Sequence, residues 1–283
     1  MDKRDAIDFE STEVSTLYRK LLIPTLLGTL SMAAMTTIDG IFVGHGVGSD
    51  GVAALNIINP VYQIFSGIGL MIGAGCSVVV SIHMAKQKIK IARLNVTQAL
   101  VGATVLTTII CVLAMLYPEQ ATRMLGASET LLPQASCYLF WIMPSYIFQM
   151  WSLIGLFIIR LDGSPKVAMW CNVIAACMNI LLDWIMIFPL GLGVKGAAMA
   201  TTVSVMTGGI IAVGYLLFFA KTLKLAPIKM SSRSMGLSLR NIGYHCRIGS
   251  SSLLGEMTLA VLIFMGNLMF SNTWAMMGWL PSE

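Results

Sequence analysis

The sequence predicts an all-α polytopic membrane protein with seven spanning helices. Three observations carry that reading. The chain is 57% hydrophobic and only 11% charged over 283 residues, with a mean hydropathy of +0.81, against about 25% charged in an ordinary soluble domain. Several apolar runs exceed the roughly 18 residues that a crossing of the hydrocarbon core requires. The basic residues fall in the short connections between those runs, where they act as topology signals.

The spans are expected near residues Leu21–Val43, Val52–His83, Ala92–Leu116, Leu131–Ile159, Val167–Pro189, Val194–Ala220 and Ile242–Phe270. The first is 23 residues, roughly 34 Å of helix, enough to cross a core of about 30 Å. The second and fourth are longer than a crossing needs, and Pro60 and Pro144 offer natural kink sites within them. The first 20 residues are polar and acidic, without the short apolar segment and small-residue cleavage site of a leader.

Orientation follows from the loops. Sixteen of the 18 basic residues lie on one side of the predicted topology, and only Arg123 and Lys195 fall on the other. The positive-inside rule therefore places the N-terminus in the cytoplasm, in the plasma (inner) membrane. The net charge of +5 is accounted for by these loops, so the expected partner is the lipid bilayer and not a nucleic acid. Six cysteines and 21 methionines are scattered without CxxC spacing or partnered histidines and read as apolar filler.

Of 13 acidic residues, ten lie in tails or loops, Asp50 and Asp162 among them. Three remain at membrane depth: Asp39, Asp183 and Glu256. An ionised side chain there costs about 2.5–3.5 kcal/mol on insertion scales and marks a functional position by default. Topology puts Asp39 four residues before the outer end of the first span and Asp183 six residues before Pro189. Thr201 and Thr202 lie seven or eight residues into the sixth span, so all four share the outer half of the bilayer, within about 6 Å along the normal. Asn179 and Asp183 are four apart and share a helix face. This oxygen-rich set suits H⁺ or a hard cation such as Na⁺. Glu256 lies about 21 Å into the seventh span, nearer the midplane.

Each residue also has a plainer reading. Asp39 or Asp183 alone reads equally as an interfacial carboxylate reaching water, and Asn179 or Thr201 as a helix–helix hydrogen bond. Their common depth favours the joint reading. Loss of water favours the neutral form of a carboxylate and a nearby cation the ionised form, so such a cluster can exchange H⁺ for Na⁺ or a cationic solute. That is the chemistry of an ion-coupled antiporter.

Two stretches, IPTLLGTLSMAAMTTIDGIFVGHGVGSDGVAAL from Ile23 and NVIAACMNILLDWIMIFPLGLGVKGAAMATTVS from Asn172, resemble the multidrug and toxic compound extrusion (MATE) transporters, in the DNA-damage-inducible-type branch. The likeness runs to about Asn272. It implies the six-helix N-lobe of a twelve-helix fold plus a seventh helix. The division is then residues 1–18 as a cytoplasmic segment, 19–221 as the N-lobe, 222–241 as a basic loop, 242–271 as helix seven, and 272–283 as an off-pattern tail. It also implies efflux of drugs or organic cations driven by Na⁺ or H⁺, with no other cofactor. Asp39, Asn179, Asp183 and Thr201 match the family's cation site, which would hold Na⁺ in a sodium-coupled member. Glu256 matches a second acidic position. Pro24 matches a proline linked to helix bending, although a proline in the first turns of a helix also serves as a structural start.

The family needs about 450 residues, so the resemblance implies a truncated or frameshifted product or a partial gene model, with a C-terminal lobe missing and activity alone in question. LLGT at Leu26–Thr29 pairs with LLGE at Leu253–Glu256, consistent with helix seven restarting the repeat. Other classes fit less well. A seven-helix receptor has the opposite orientation, and aspartyl intramembrane proteases need YD and GxGD contexts where this chain has IDG and LDW. HExxH is absent, and no catalytic residue is expected. A lipid-linked sugar flippase of the same superfamily would line its cleft with cations, whereas these deep charges are acidic.

Overall fold

The computed structural model describes residues 14–227 and 232–276. The acidic residues before Val14, together with Lys3, Arg4, Lys229 and residues 277–283 of the tail, lie outside the described residues.

Among the described residues eight α-helices follow one another: α1 (Val14–Gly46), α2 (Ser49–Ala85), α3 (Ile89–Leu116), α4 (Pro118–Met124), α5 (Leu132–Leu161), α6 (Pro165–Ile187), α7 (Gly193–Gly214) and α8 (Ser232–Met276). A π-helical turn, Tyr215–Phe219, closes α7. Seven of these, all except α4, are long and apolar enough to cross a membrane, as the hydropathy predicts. The structure departs most from the sequence reading at three places. The short α4 is too polar and too brief to register as a span. Helices α1 and α8, the first and seventh spans, begin at Val14 and Ser232, so part of each segment read as tail or loop is helical. Hydropathy reports where a helix meets lipid, and a helix that continues into polar surroundings leaves no apolar signal.

The earlier start of α1 corrects the reading of Pro24 as a helix start. Pro24 lies ten residues inside α1 and is buried, where it removes one i→i−4 hydrogen bond and crowds the preceding turn. Pro60 and Pro144 are likewise interior, in α2 and α5.

Because lipid is as apolar as the side chains, helices associate here through close backbone approach. Glycines provide it. Along the α2–α5 seam, Gly69 packs on Leu153 and Met150, and Gly73 on Phe157 and Ile154. The Phe65 and Tyr146 rings stack at 4.5 Å on the same seam. Gly155 and Gly209 let α5 and α7 meet, with Gly209 against the Phe148 carbonyl. The other side of α2 receives α8. A Cβ on Gly75 would collide with the His245 carbonyl oxygen, and one on Gly249 with that of Met71. The same groove is closed on α3 by polar pairs. Asn241 Nδ2 donates to Gln98 Oε1 at 2.8 Å, and His245 Nε2 meets Asn95 Oδ1 at 3.2 Å.

Asp162, read from sequence as a loop acid, is in fact buried at 8% exposure. Its carboxylate accepts from the backbone N–H groups of Lys221, Thr222 and Leu223 and from the Tyr215 hydroxyl. Arg93 Nε donates to the Thr222 carbonyl, and the Ala226 N–H donates to Thr97 Oγ1. The chain leaving α7 is thus fastened to the α5–α6 turn and to α3.

If backbone approach holds α8 in its groove, Gly75→Val will destabilise the protein by about 1–3 kcal/mol or more, read as a lower thermal midpoint in detergent. Gly243→Ala, where a Cβ meets nothing within 4 Å, will leave the midpoint unchanged or slightly raised. Equal midpoints for wild type and Gly75→Val would contradict this packing.

Candidate functional site

The site is assembled by the two seams of α6. On one side α1 runs alongside it in parallel register. Gly28 faces Asn172 and Met169, and Gly46 faces Ile187 so closely that a Cβ would collide with the isoleucine Cγ2. Between these contacts Asp39 of α1 comes opposite Asp183 of α6. On the other side α7 runs antiparallel. Gly196 lies against the Met186 carbonyl and Gly208 against Ala175 and the Cys171 carbonyl. Between those contacts Asn179 Nδ2 donates to Thr201 Oγ1 at 3.3 Å.

Asp39, Asn179, Asp183 and Thr201 are therefore brought together, by three different helices. Asn179 and Asp183 are fully buried at 0% exposure, while Asp39 is half-buried. Asp183 faces both Asp39 and Asn179. Yet Asp39 Oδ1, Asn179 Oδ1 and both carboxylate oxygens of Asp183 are buried without a hydrogen bond of normal geometry. A buried oxygen without a donor is costly, and a charged one more so. Four such oxygens at one point form an acceptor-only cluster, which a proton or a hard cation would satisfy.

Thr202, placed at the same depth by the sequence, turns away from this cluster and donates to the Trp141 carbonyl of α5 at 2.8 Å. Tyr138 of α5 is the residue that sequence reasoning missed. It is buried and lies within electrostatic reach of both Asp39 and Asp183. One turn further along α5, the Trp141 ring carries the Lys195 ammonium 4.8 Å from its centroid. A tyrosine inside an apolar run carries no signal of its own. Only the register of Trp141 with Thr202 brings this stretch of α5 to the site.

Glu256 stands apart. It is half-buried on α8, with its Cβ 3.0 Å from where a Gly67 Cβ would stand on α2, and it lies near Tyr62. Among the described residues it shares no hydrogen bond or ion pair with Asp39 or Asp183.

Fold and site together define a class: a polytopic helical membrane protein with a buried carboxylate pair between its helices. The chain belongs to the MatE family, whose model matches residues 24–185, more than half of the sequence. Among curated proteins it is similar to the multidrug export protein MepA of Staphylococcus aureus (strain MRSA252). They are 25% identical over 213 residues, covering 75% of this chain and 47% of the relative. MepA of Staphylococcus saprophyticus is 24% identical over 209 residues, 74% of this chain and 46% of that protein. The chain thus spans about half the length of the curated relatives it matches. Among solved structures, the MATE multidrug transporter DinF-BH superposes with a TM-score of 0.81 at 24% identity, covering 97% of this chain and 60% of that one. A MOP superfamily transporter from Pyrococcus furiosus superposes at 0.75 with 23% identity, covering 91% and 58%. At these identities the likeness establishes the fold.

A like-charged buried pair has a measurable consequence. With no cation present and at alkaline pH, Asp183→Asn will remove one of the two facing charges. The thermal midpoint will rise by about 2–4 °C for each kcal/mol of repulsion relieved. A lowered midpoint under those conditions would contradict the pair as described.

Proposed function

We propose that this chain carries the ion-binding lobe of a cation-coupled exporter of drugs or organic cations, with its N-terminus in the cytoplasm and its site in the outer half of the plasma membrane. The observation that supports it most is the set of four buried oxygens without donors on Asp39, Asn179 and Asp183. The family membership and the export function named for the MepA relatives point the same way.

The oxygens fit the chemistry of H⁺ or Na⁺. Two carboxylates, an amide carbonyl and the Thr201 hydroxyl form a hard donor set with no nitrogen or sulfur ligand. When neither ion is bound, two facing carboxylates repel in a medium that screens them poorly. A proton shared between them, or a cation among them, removes that repulsion and lets α1 close on α6. Pro24, interior to α1, supplies a place where α1 can bend as the site fills and empties. An organic cation competes for the same field, so ion entry and substrate exit become alternatives. Differential affinity of this kind is what coupling requires.

Two experiments test the reading. Na⁺ binding to the purified chain, followed by isothermal titration, will strengthen as pH rises, because a protonated carboxylate does not coordinate. The dependence will reach up to about tenfold per pH unit where one proton is displaced. Thr201→Val will weaken binding, by about 1 kcal/mol or roughly fivefold, and Thr202→Val will leave it unchanged. Equal effects of the two threonine variants would contradict the assignment. Export is tested separately in vesicles reconstituted with the chain. A fluorescent organic cation will leave against an imposed Na⁺ or pH gradient with wild type and not with Asp183→Asn. Because the chain spans about half the length of its relatives, absence of movement with wild type would confine this lobe by itself to ion binding, while gradient-driven movement that Asp183→Asn leaves intact would contradict the coupling role of the pair.

A further inference from the structure

Arg240, Asn241, Gly243, Tyr244 and Arg247 of α8 line a pocket of about 340 Å³, which runs from the α3-bound Asn241 round to the outward-facing arginines. We infer that this pocket binds the phosphate of an anionic phospholipid headgroup. It is a site distinct from the carboxylate cluster and carries charge of the opposite sign.

Placement is the first argument. His245 is fully buried against α2 and α3. At 100° per residue, Arg240 and Arg247 are directed some 140–160° away from it. They therefore face outward, and both are exposed. The level along the bundle is set by α3. Asn95 holds His245 and Gln98 holds Asn241, while Arg93 and Thr97 of the same helix hold the Thr222–Ala226 connection. The pocket thus lies at the level where the chain between α7 and α8 crosses the end of the bundle. That is where a spanning helix meets headgroups.

Chemistry is the second argument. Arg240 and Arg247 are two turns apart, about 10.5 Å along the axis, with Tyr244 between them on the same face. Two guanidinium forks can converge on one phosphate, each donating in pairs, and a tyrosine at this level sits in the interfacial belt. Gly243 contributes no side chain, and a Cβ there would meet nothing within 4 Å, which leaves the floor open. Asn241 is fixed by its bond to Gln98 and so presents a preorganised rim. Neither arginine has an ion-pair partner among the described residues, so both charges await one.

A free phosphate has the same chemistry, and the test separates the two sources. Native mass spectrometry of the detergent-solubilised chain with phosphatidylglycerol will show retained adducts that phosphatidylcholine does not give. In Arg240→Gln/Arg247→Gln, retention will fall about tenfold or more, two interfacial cations having been removed. The variant's thermal midpoint will match wild type, because both side chains face away from the α2–α3 groove. Lys88→Gln/Lys90→Gln, exposed lysines at the α2–α3 turn, will retain the lipid. Equal retention in the arginine variant, or equal loss in the lysine variant, overturns the site. Displacement of phosphatidylglycerol by millimolar inorganic phosphate overturns the lipid as its occupant.

Discussion

The constraint on which this fold turns is the pair of facing carboxylates, half-buried Asp39 and fully buried Asp183, which no lysine, arginine or histidine among the described residues neutralises. In a medium of low effective dielectric, like charges at close range repel strongly and ionised oxygens want donors. The protein does not relieve this with arginine or with backbone N–H groups, as it does at Asp162, where three amides and a tyrosine converge on one carboxylate. The contrast within one chain is informative. Asp162 is satisfied and fastens a loop, while the Asp39–Asp183 pair is left in need of something mobile.

The surrounding packing keeps that need from being met by collapse. Gly28 and Gly46 set the spacing of α1 on α6, and Gly196 and Gly208 set that of α7. At these glycines the helices approach too closely to admit a larger side chain without a shift, which holds the oxygens of Asp39, Asn179 and Asp183 near one another. Helices α2 and α5 form the more buried inner pair of the bundle, whereas α1 and α8 expose much of their surface. Helix α1, which carries Asp39, is therefore among the elements with least to lose by moving, and Pro24 interrupts its hydrogen-bond ladder.

Much of this is legible in the sequence, for reasons that can be stated. All seven spans declare themselves, because lipid exposure demands unbroken apolar runs. Asp39, Asn179, Asp183 and Thr201 can be brought to one depth by counting residues from the span ends, and the helical register then sorts Asn179 and Asp183 onto one face. What counting cannot do is assign azimuth between helices. Thr202 sits at the right depth and faces α5 instead, and Tyr138 reaches the carboxylates from a helix whose rotation no periodicity fixes. Charged residues in helices that outrun the membrane are also misplaced. Asp162 and Arg240 read as loop residues, yet one is a buried anchor and the other stands on α8. The two readings of Pro24 are separated only by the start of α1 at Val14.

The central claim is that the carboxylate pair changes its ionisation when a cation enters. Infrared difference spectroscopy on the reconstituted chain reads that change directly, from the carbonyl stretch of a protonated carboxyl and the paired stretches of a carboxylate. At a fixed pH where the pair holds a proton, adding Na⁺ should bleach the protonated band and raise the carboxylate bands. Asp39→Asn and Asp183→Asn should each remove that signal. A spectrum in which neither Na⁺ nor pH alters any band that these two substitutions abolish would contradict the account.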